Sequence, residues 1–74
     1  MFELDCKLLS IFYYVYKFKN VSQAADHLDM SQPAVSNLLN KIRQHYGDPL
    51  FLRIGNEMLP TDLSKQLFPL VSEA

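Results

Sequence analysis

The stretch from residue 21 to residue 40 constrains the fold more than any other part of the sequence. It predicts two short helices separated by a turn of three or four residues, and Ala25 is small where the two helices must cross. Asp29 stands where the chain must reverse, and aspartate tolerates a positive φ better than most residues. Ser22 and Ser31 are suitable N-caps for the first and second of these helices. This arrangement is typical of a helix-turn-helix.

The second of these helices, over about residues 31–46, has one apolar and one polar face. Pro33 fits its first turn, where a missing N–H costs nothing, and Gly47 and Pro49 stop it. The inward stripe consists of Val35, Leu38, Leu39, Ile42 and Tyr46. The outward arc consists of Pro33, Ser36, Asn37, Asn40, Lys41 and Gln44. Serine, asparagine and glutamine can donate to and accept from base edges, so this face predicts a recognition helix in the major groove of DNA.

Three further elements complete the predicted architecture. A first helix runs from an N-cap at about Asp5 to about Lys17, and Asn20 follows it as a stop. A short hairpin is predicted from Leu50–Ile54, the turn Gly55-Asn56 and Glu57–Leu59. Thr61 caps a last helix. The fold class is therefore mainly α, a winged helix-turn-helix with a three-helix core, a β-hairpin wing and a C-terminal helix.

Composition places the chain among small cytoplasmic domains. Its 74 residues suffice for one domain, and 49% hydrophobic residues indicate a real core. Cys6 is the only cysteine, so no internal disulfide is possible, which favours a reducing cytoplasm. The apolar run Leu8–Phe18 is shorter than the roughly 20 residues needed to cross a bilayer. His27 and His45 lack the spacing of metal ligands, so neither a metal nor a cofactor is expected.

The net charge of −1 is unusual for a DNA-binding domain, which is ordinarily basic. The charges are nevertheless unevenly placed. Residues 30–46 contain Lys41 and Arg43 and no acidic residue. The acid-free stretch coincides with the helix assigned to the groove, and Arg53 on the predicted wing supplies a further cation for phosphate or the minor groove.

Several motifs together resemble the N-terminal domain of LysR-type transcriptional regulators. They are the runs Asn20-Val21-Ser22-Gln23-Ala24-Ala25 and Ser31-Gln32-Pro33-Ala34-Val35-Ser36, with Leu28, the stretch 47–53 and Thr61. Within that family, Asn37, the Asp-Pro-Leu-Phe run and Pro60-Thr61 look most like the branch of the nodulation-gene regulators. The resemblance covers essentially the whole chain.

The resemblance implies a bacterial activator or repressor. Its recognition helix would use the residues that match Gln32, Pro33, Ser36 and Asn37. The last helix, starting at Thr61, would be a linker helix that pairs two subunits. A C-terminal effector-binding domain, which these 74 residues do not include, would receive a small-molecule effector.

The expected organisation is a DNA-binding domain over residues 1–60 and the start of the dimerising linker helix over residues 61–74. The expected DNA contacts are Ser22, Gln23, Ser31, Gln32, Pro33, Ser36, Asn37, Asn40, Lys41 and Arg53. The expected dimer contacts are Leu63, Leu67, Leu70 and Val71, an apolar stripe that a three-helix core cannot cover completely. No catalytic residue is expected, because neither a nucleophile elbow nor a glycine-rich loop is present.

Other interpretations remain open at this stage. The same fold could dock a protein rather than DNA, which the net charge of −1 favours and the polar outer face opposes. The aromatic residues between positions 12 and 18 could stack on single-stranded nucleic acid, although helical spacing favours core and dimer packing. Three positions depart from the resemblance: Asn37 and Asn56 stand where an arginine is usual, and Ser64 where a glycine is usual.

Overall fold

The computed structural model describes residues 6–72 and contains four helices and one hairpin within them. The elements are α1 (Cys6–Phe18), α2 (Val21–Leu28), α3 (Gln32–Tyr46), β1 (Phe51–Ile54), β2 (Glu57–Pro60) and α4 (Asp62–Ser72). The predicted winged helix-turn-helix is therefore confirmed, and except for the start of α2 the limits of the elements lie within about a residue of those expected. The expected N-cap Asp5 lies outside the described residues.

The turn between α2 and α3 forms as its residue types predict. Asp29 adopts a left-handed conformation with φ 56°, and Met30 N–H donates to the carbonyl of Ala25 at 2.9 Å. Ser31 is extended, and its hydroxyl accepts from Ala34 N–H at 3.2 Å. These two caps satisfy backbone groups that a helix end leaves without partners, so the turn is fixed by local chemistry.

The N-cap of α2 was predicted wrongly. Asn20, not Ser22, caps this helix: its side-chain oxygen accepts from Gln23 N–H at 2.8 Å. The chain reverses at Lys19, which has φ 53°. As a result α2 begins at Val21, two residues earlier than a cap at Ser22 would allow. Asparagine and serine are comparably good N-caps, and backbone position decides between them. The Ser22 side chain is thereby released for another contact.

The core lies where α1, α2 and α3 meet the base of the hairpin. Ala24 and Ala25 are buried, and their small side chains let α2 approach the other two helices closely. The other buried apolar residues are Leu8, Ile11, Phe12, Val15, Val35, Leu39, Ile42, Leu50, Phe51 and Met58. With its inward stripe occupied, α3 turns its polar arc outward.

The hairpin closes through the predicted two-residue turn. Gly55 has φ 63°, a conformation that glycine adopts without strain, and Ile54 pairs with Glu57 across the turn. The N–H of Met58 donates to the carbonyl of Lys19 at 2.9 Å, which ties β2 to the turn between α1 and α2. The wing is thus attached to the helical core through this hydrogen bond on β2 and through Phe51 on β1, whose ring is buried against Phe12.

Aromatic stacking attaches α4 to α1. The ring of Phe68 stacks on Tyr16 at 4.0 Å between centroids and on Tyr13 at 5.4 Å. Phe68 did not belong to the predicted apolar stripe of this helix. Within that stripe, Leu63, Leu67 and Val71 are half-buried against the core of the same chain, whereas Leu70 is 68% exposed.

None of the helices within residues 6–72 is both long and apolar enough to span a membrane.

Replacement of Phe68 by alanine should lower the free energy of unfolding by about 1–3 kcal/mol, because a half-buried ring and two stacking partners are lost. Thermal and urea unfolding followed by circular dichroism would measure the change. Lys65→Ala, at an exposed position of α4, is the matched control and should change stability by less than about 0.5 kcal/mol. Equal effects of the two substitutions would contradict the role given to the stack.

Candidate nucleic-acid interface

The outward face of α3 carries hydrogen-bonding side chains and one exposed cation. Val35, Leu39 and Ile42 are buried on the opposite side, which fixes the rotation of the helix about its axis. The exposed side chains of the outward face are those of Pro33, Asn37, Asn40, Lys41 and Gln44, and Ser36 is half-buried beside them. The face expected from helical spacing is therefore the one that reaches the surface.

The first turns of α2 and α3 are joined by a side-chain hydrogen bond. Gln32 Nε2 donates to the hydroxyl of Ser22 at 3.2 Å. Neither helix has an acidic residue in its first turn, so the positive ends of two helix dipoles are not neutralised there. Gln23 and Ser31 are exposed at the same two helix ends. Such paired N-termini attract phosphate groups.

Arg43 is engaged by hydrogen bonds within the fold. Its Nε donates to the carbonyl of Pro49 at 2.7 Å, and one terminal nitrogen donates to Asn40 Oδ1 at 2.9 Å. The guanidinium thus fastens α3 to the loop before the wing. With the carbonyl oxygen of Asn40 engaged, its amide nitrogen remains as a donor toward a ligand.

The wing brings Arg53 to the same surface as α3. Arg53 is exposed and pairs in register with the buried Met58. One cleft of about 270 Å³ runs between the wing and the helix ends, and its polar lining residues are Asn20, Ser22, Gln32, Arg53 and Asn56. A second cleft of about 280 Å³ has Gln32, Ser36, Arg43 and Arg53 as its polar lining residues. The structure therefore brings together the first turns of both helices and the wing arginine.

Two polar residues of the first cleft were not among the predicted contacts. Asn20 was interpreted only as a helix stop, and Asn56 only as a turn residue lacking the charge of an arginine. Both line the cleft with Arg53. Nothing in the sequence indicates this pairing, because the two side chains meet only where β2 is hydrogen-bonded to the turn between α1 and α2.

The remaining candidate groups are accounted for by packing. Phe12 packs against Tyr16 and against Phe51, with centroids 6.1 and 5.7 Å apart, so these rings contact one another inside the fold. His27 is exposed on α2, with its ring 4.2 Å from that of Tyr14. Within residues 6–72, no three side chains of His, Cys, Asp or Glu are grouped as metal ligands.

Comparison with known proteins agrees with this geometry. Residues 6–65 match the family described as bacterial regulatory helix-turn-helix proteins of the lysR type. The chain is 35% identical over 71 residues to nodulation protein D 1 of Rhizobium leguminosarum bv. phaseoli. This alignment covers 96% of this chain and 23% of that protein. The curated relatives it matches are four to five times as long as this chain, which spans 20–24% of their length.

Solved structures share the fold. A probable transcriptional regulator from Pseudomonas aeruginosa, PA0477, superposes with a TM-score of 0.88 at 42% identity, over 93% of this chain and 23% of that one. The DNA-binding domain of BenM, in a complex with DNA, superposes with a TM-score of 0.87 at 20% identity, over 95% of this chain and 81% of that one. The match over residues 6–65 decides the assignment, and the chain belongs to the LysR family of bacterial regulatory helix-turn-helix proteins.

Proposed function

We propose that this chain is the DNA-binding module of a LysR-type transcription regulator and that it recognises a specific double-stranded sequence. The observation that carries the proposal is the common surface formed by the neutral face of α3, the first turn of α2 and the wing arginine Arg53. A duplex offers base edges and phosphates at matching positions: a helix in the major groove places its N-terminal residues on the bases, and a wing reaches the adjoining backbone.

The side chains divide between two tasks. Gln32, Pro33, Ser36 and Asn37 lie on the first turns of α3 and contact base edges, and Asn40 contributes its amide nitrogen. Ser22, Gln23 and Ser31 lie at the helix ends and contact phosphate. Lys41 and Arg53 supply charge to phosphate or the minor groove. No covalent bond is made or broken, so recognition depends on the placement of these side chains, on their hydrogen bonds and on the charge of the two cations.

The net charge of −1 has a direct consequence for affinity. Few cations are available to release counterions, so binding to random DNA should be weak, with a Kd on the order of 10⁻⁴ M at physiological salt. Specific affinity must come from base contacts and from pairing two modules on two half-sites. This dependence supports a homodimer as the functional form.

The C-terminal part of α4 supports the proposed dimer. A groove of about 430 Å³ between the start of α1 and the end of α4 is lined by Leu9, Tyr13, Tyr14 and Val71, among others. Leu70, 68% exposed, precedes Val71. We infer that residues 61–74 pair with the same helix of a second subunit, and that residues 1–60 form the DNA-binding unit. An effector-binding domain beyond α4 would account for the greater length of the relatives.

A protein-docking module is the second candidate function, because the net charge of −1 favours it. The two candidates differ in their response to salt. DNA binding that neutralises phosphates weakens linearly with the logarithm of salt concentration, whereas docking through a neutral polar face changes little. The relatives are named as transcriptional regulators rather than enzymes. The proposed compartment is the cytoplasm, where bacterial DNA lies.

Ser36→Ala and Asn37→Ala should each cost about 1–3 kcal/mol on a duplex selected from a random library and little on random DNA, because a base contact is lost. Lys41→Ala and Arg53→Ala should weaken binding to both duplexes alike and lower the salt slope by about one each. Fluorescence anisotropy at several salt concentrations would measure both effects.

Lys7→Ala, which removes an exposed cation at the start of α1, is the matched control and should leave affinity and slope unchanged. Asn37→Arg should raise overall affinity and change the preferred base at one position. If base preference is the same in the wild type, Asn37→Ala and Asn37→Arg, Asn37 does not read a base, and specificity falls to Gln32, Pro33 and Ser36.

Leu70→Glu should shift the chain toward monomer, because a charge would enter an apolar interface. Sedimentation velocity over a range of concentrations would measure the change. Lys65→Glu, which also adds a carboxylate at an exposed site on α4, is the control. Leu67→Glu is less informative, since Leu67 is half-buried in its own core and its loss would also lower stability. A wild type that stays monomeric at high concentration would contradict the proposed dimer.

A further inference from the structure

The four-residue loop that joins α3 to β1 has an unusual backbone conformation at its last residue, Leu50. Leu50 has φ 65°, in the left-handed region that leucine rarely occupies because its Cβ approaches the next carbonyl. Phe51 N–H donates to the carbonyl of Pro49 at 2.7 Å, which closes a three-residue turn around Leu50. Such a conformation persists only where its surroundings hold it. We call residues 48–50 the wing joint.

Both backbone polar groups of Leu50 are hydrogen-bonded: the N–H to Asp48 and the carbonyl to Thr61 and Ser64. Leu50 N–H donates to Asp48 Oδ1 at 2.7 Å. The carbonyl of Leu50 accepts from Thr61 N–H at 2.9 Å and from the Ser64 hydroxyl. Leu50 and Ser64 are both completely buried, so water does not compete for these hydrogen bonds.

The wing joint is held from two helices at once. The same Asp48 Oδ1 also accepts from the Thr61 hydroxyl at 2.9 Å, which links the joint to the cap of α4. From the other side, Arg43 on α3 donates to the carbonyl of Pro49. The direction in which β1 leaves the helical core is therefore set jointly by α3 and by the first turn of α4.

A small change at this joint would move the wing arginine by a large distance. Arg53 lies three residues beyond Leu50, or about 10 Å along an extended strand. A rotation of about 20° at Leu50 would shift Arg53 by about 3 Å, which exceeds the tolerance of a hydrogen bond. The hydrogen bond of Met58 to Lys19 on β2 and the burial of Phe51 against Phe12 limit this motion, and within that limit the wing joint sets the direction of β1.

We propose that Asp48 and Ser64 are positioning residues for DNA recognition: their hydrogen bonds hold Leu50 in its left-handed conformation and so place Arg53 on the same duplex that α3 reads. The inference rests on the proposed DNA binding. The same hydrogen bonds couple the position of the wing to α4, because Thr61 caps that helix and Ser64 lies in its first turn.

The test combines substitutions that disrupt the wing joint with the loss of either Arg53 or Lys41. Asp48→Ala/Ser64→Ala is the disrupting background, and Asp48→Asn is the conservative variant that keeps an oxygen acceptor. In the wild type, Arg53→Ala and Lys41→Ala should each weaken binding to a selected duplex by about threefold to tenfold, as expected for one phosphate contact. In the disrupted background, the effect of Arg53→Ala should fall below about twofold, while that of Lys41→Ala is unchanged. In the Asp48→Asn background, Arg53→Ala should keep its full effect.

This difference separates positioning from loss of stability, since a partly unfolded chain would lose both contributions in proportion. All variants are compared at a temperature at which circular dichroism shows them folded. A second measurement needs no DNA: ¹⁵N heteronuclear NOE values for amides 51–59 should fall in the disrupted background, while those of α3 stay constant.

The outcomes are distinct. An equal cost of Arg53→Ala in the wild-type and disrupted backgrounds, or a wing whose NOE values do not fall, would overturn the inference. If the wild type binds no duplex but the wing still loosens in the disrupted background, the proposed DNA binding is rejected, and the role of the joint in recognition is rejected with it. The joint would then be a purely structural hinge.

Discussion

The close approach of α2 to its neighbours is the contact on which the rest of the structure depends. Ala24 and Ala25 are buried with almost no exposed surface, and larger side chains there would push α2 away. Because α2 sits close, the tight turn at Asp29 can deliver α3 with Val35, Leu39 and Ile42 facing inward. The polar arc of α3 is then the only side left to solvent, so core packing decides which side chains a ligand can meet.

Because the net charge of the chain is −1, accurate placement of side chains matters more for DNA binding than overall electrostatic attraction. Of the cations near α3, Arg43 is engaged by Asn40 and Pro49, so its guanidinium contributes structure more than attraction for DNA. A chain with few cations cannot hold a duplex by charge alone, and must place its neutral donors and acceptors accurately. The fixed joint before the wing and the hydrogen bond between Gln32 and Ser22 serve this requirement.

Elements fixed by local chemistry could be predicted from the sequence, whereas those fixed by distant contacts could not. Asp29, Ser31 and Gly47 act within a few residues of themselves, so the limits of α3 and the turn before it followed from residue type. The cap of α2 depended on the left-handed turn at Lys19, which no property of a lysine side chain indicates. Ser64 attracted notice only as a departure from the usual glycine, because its partner Leu50 lies 14 residues away. For the candidate site, the face of α3 was predictable from its period, but the cleft with Asn20 and Asn56 required the hairpin to be in place.

Amide chemical-shift mapping would show whether α3 and the wing bind duplex DNA as one surface. The ¹⁵N-labelled chain would be titrated with a duplex selected from a random library and with a scrambled duplex of equal length. We expect large shifts at residues 31–41 and 51–56 and at the first turn of α2, with the α3 shifts much smaller for the scrambled duplex. Shifts confined to the groove between α1 and α4, or identical shifts for both duplexes, would contradict this expectation.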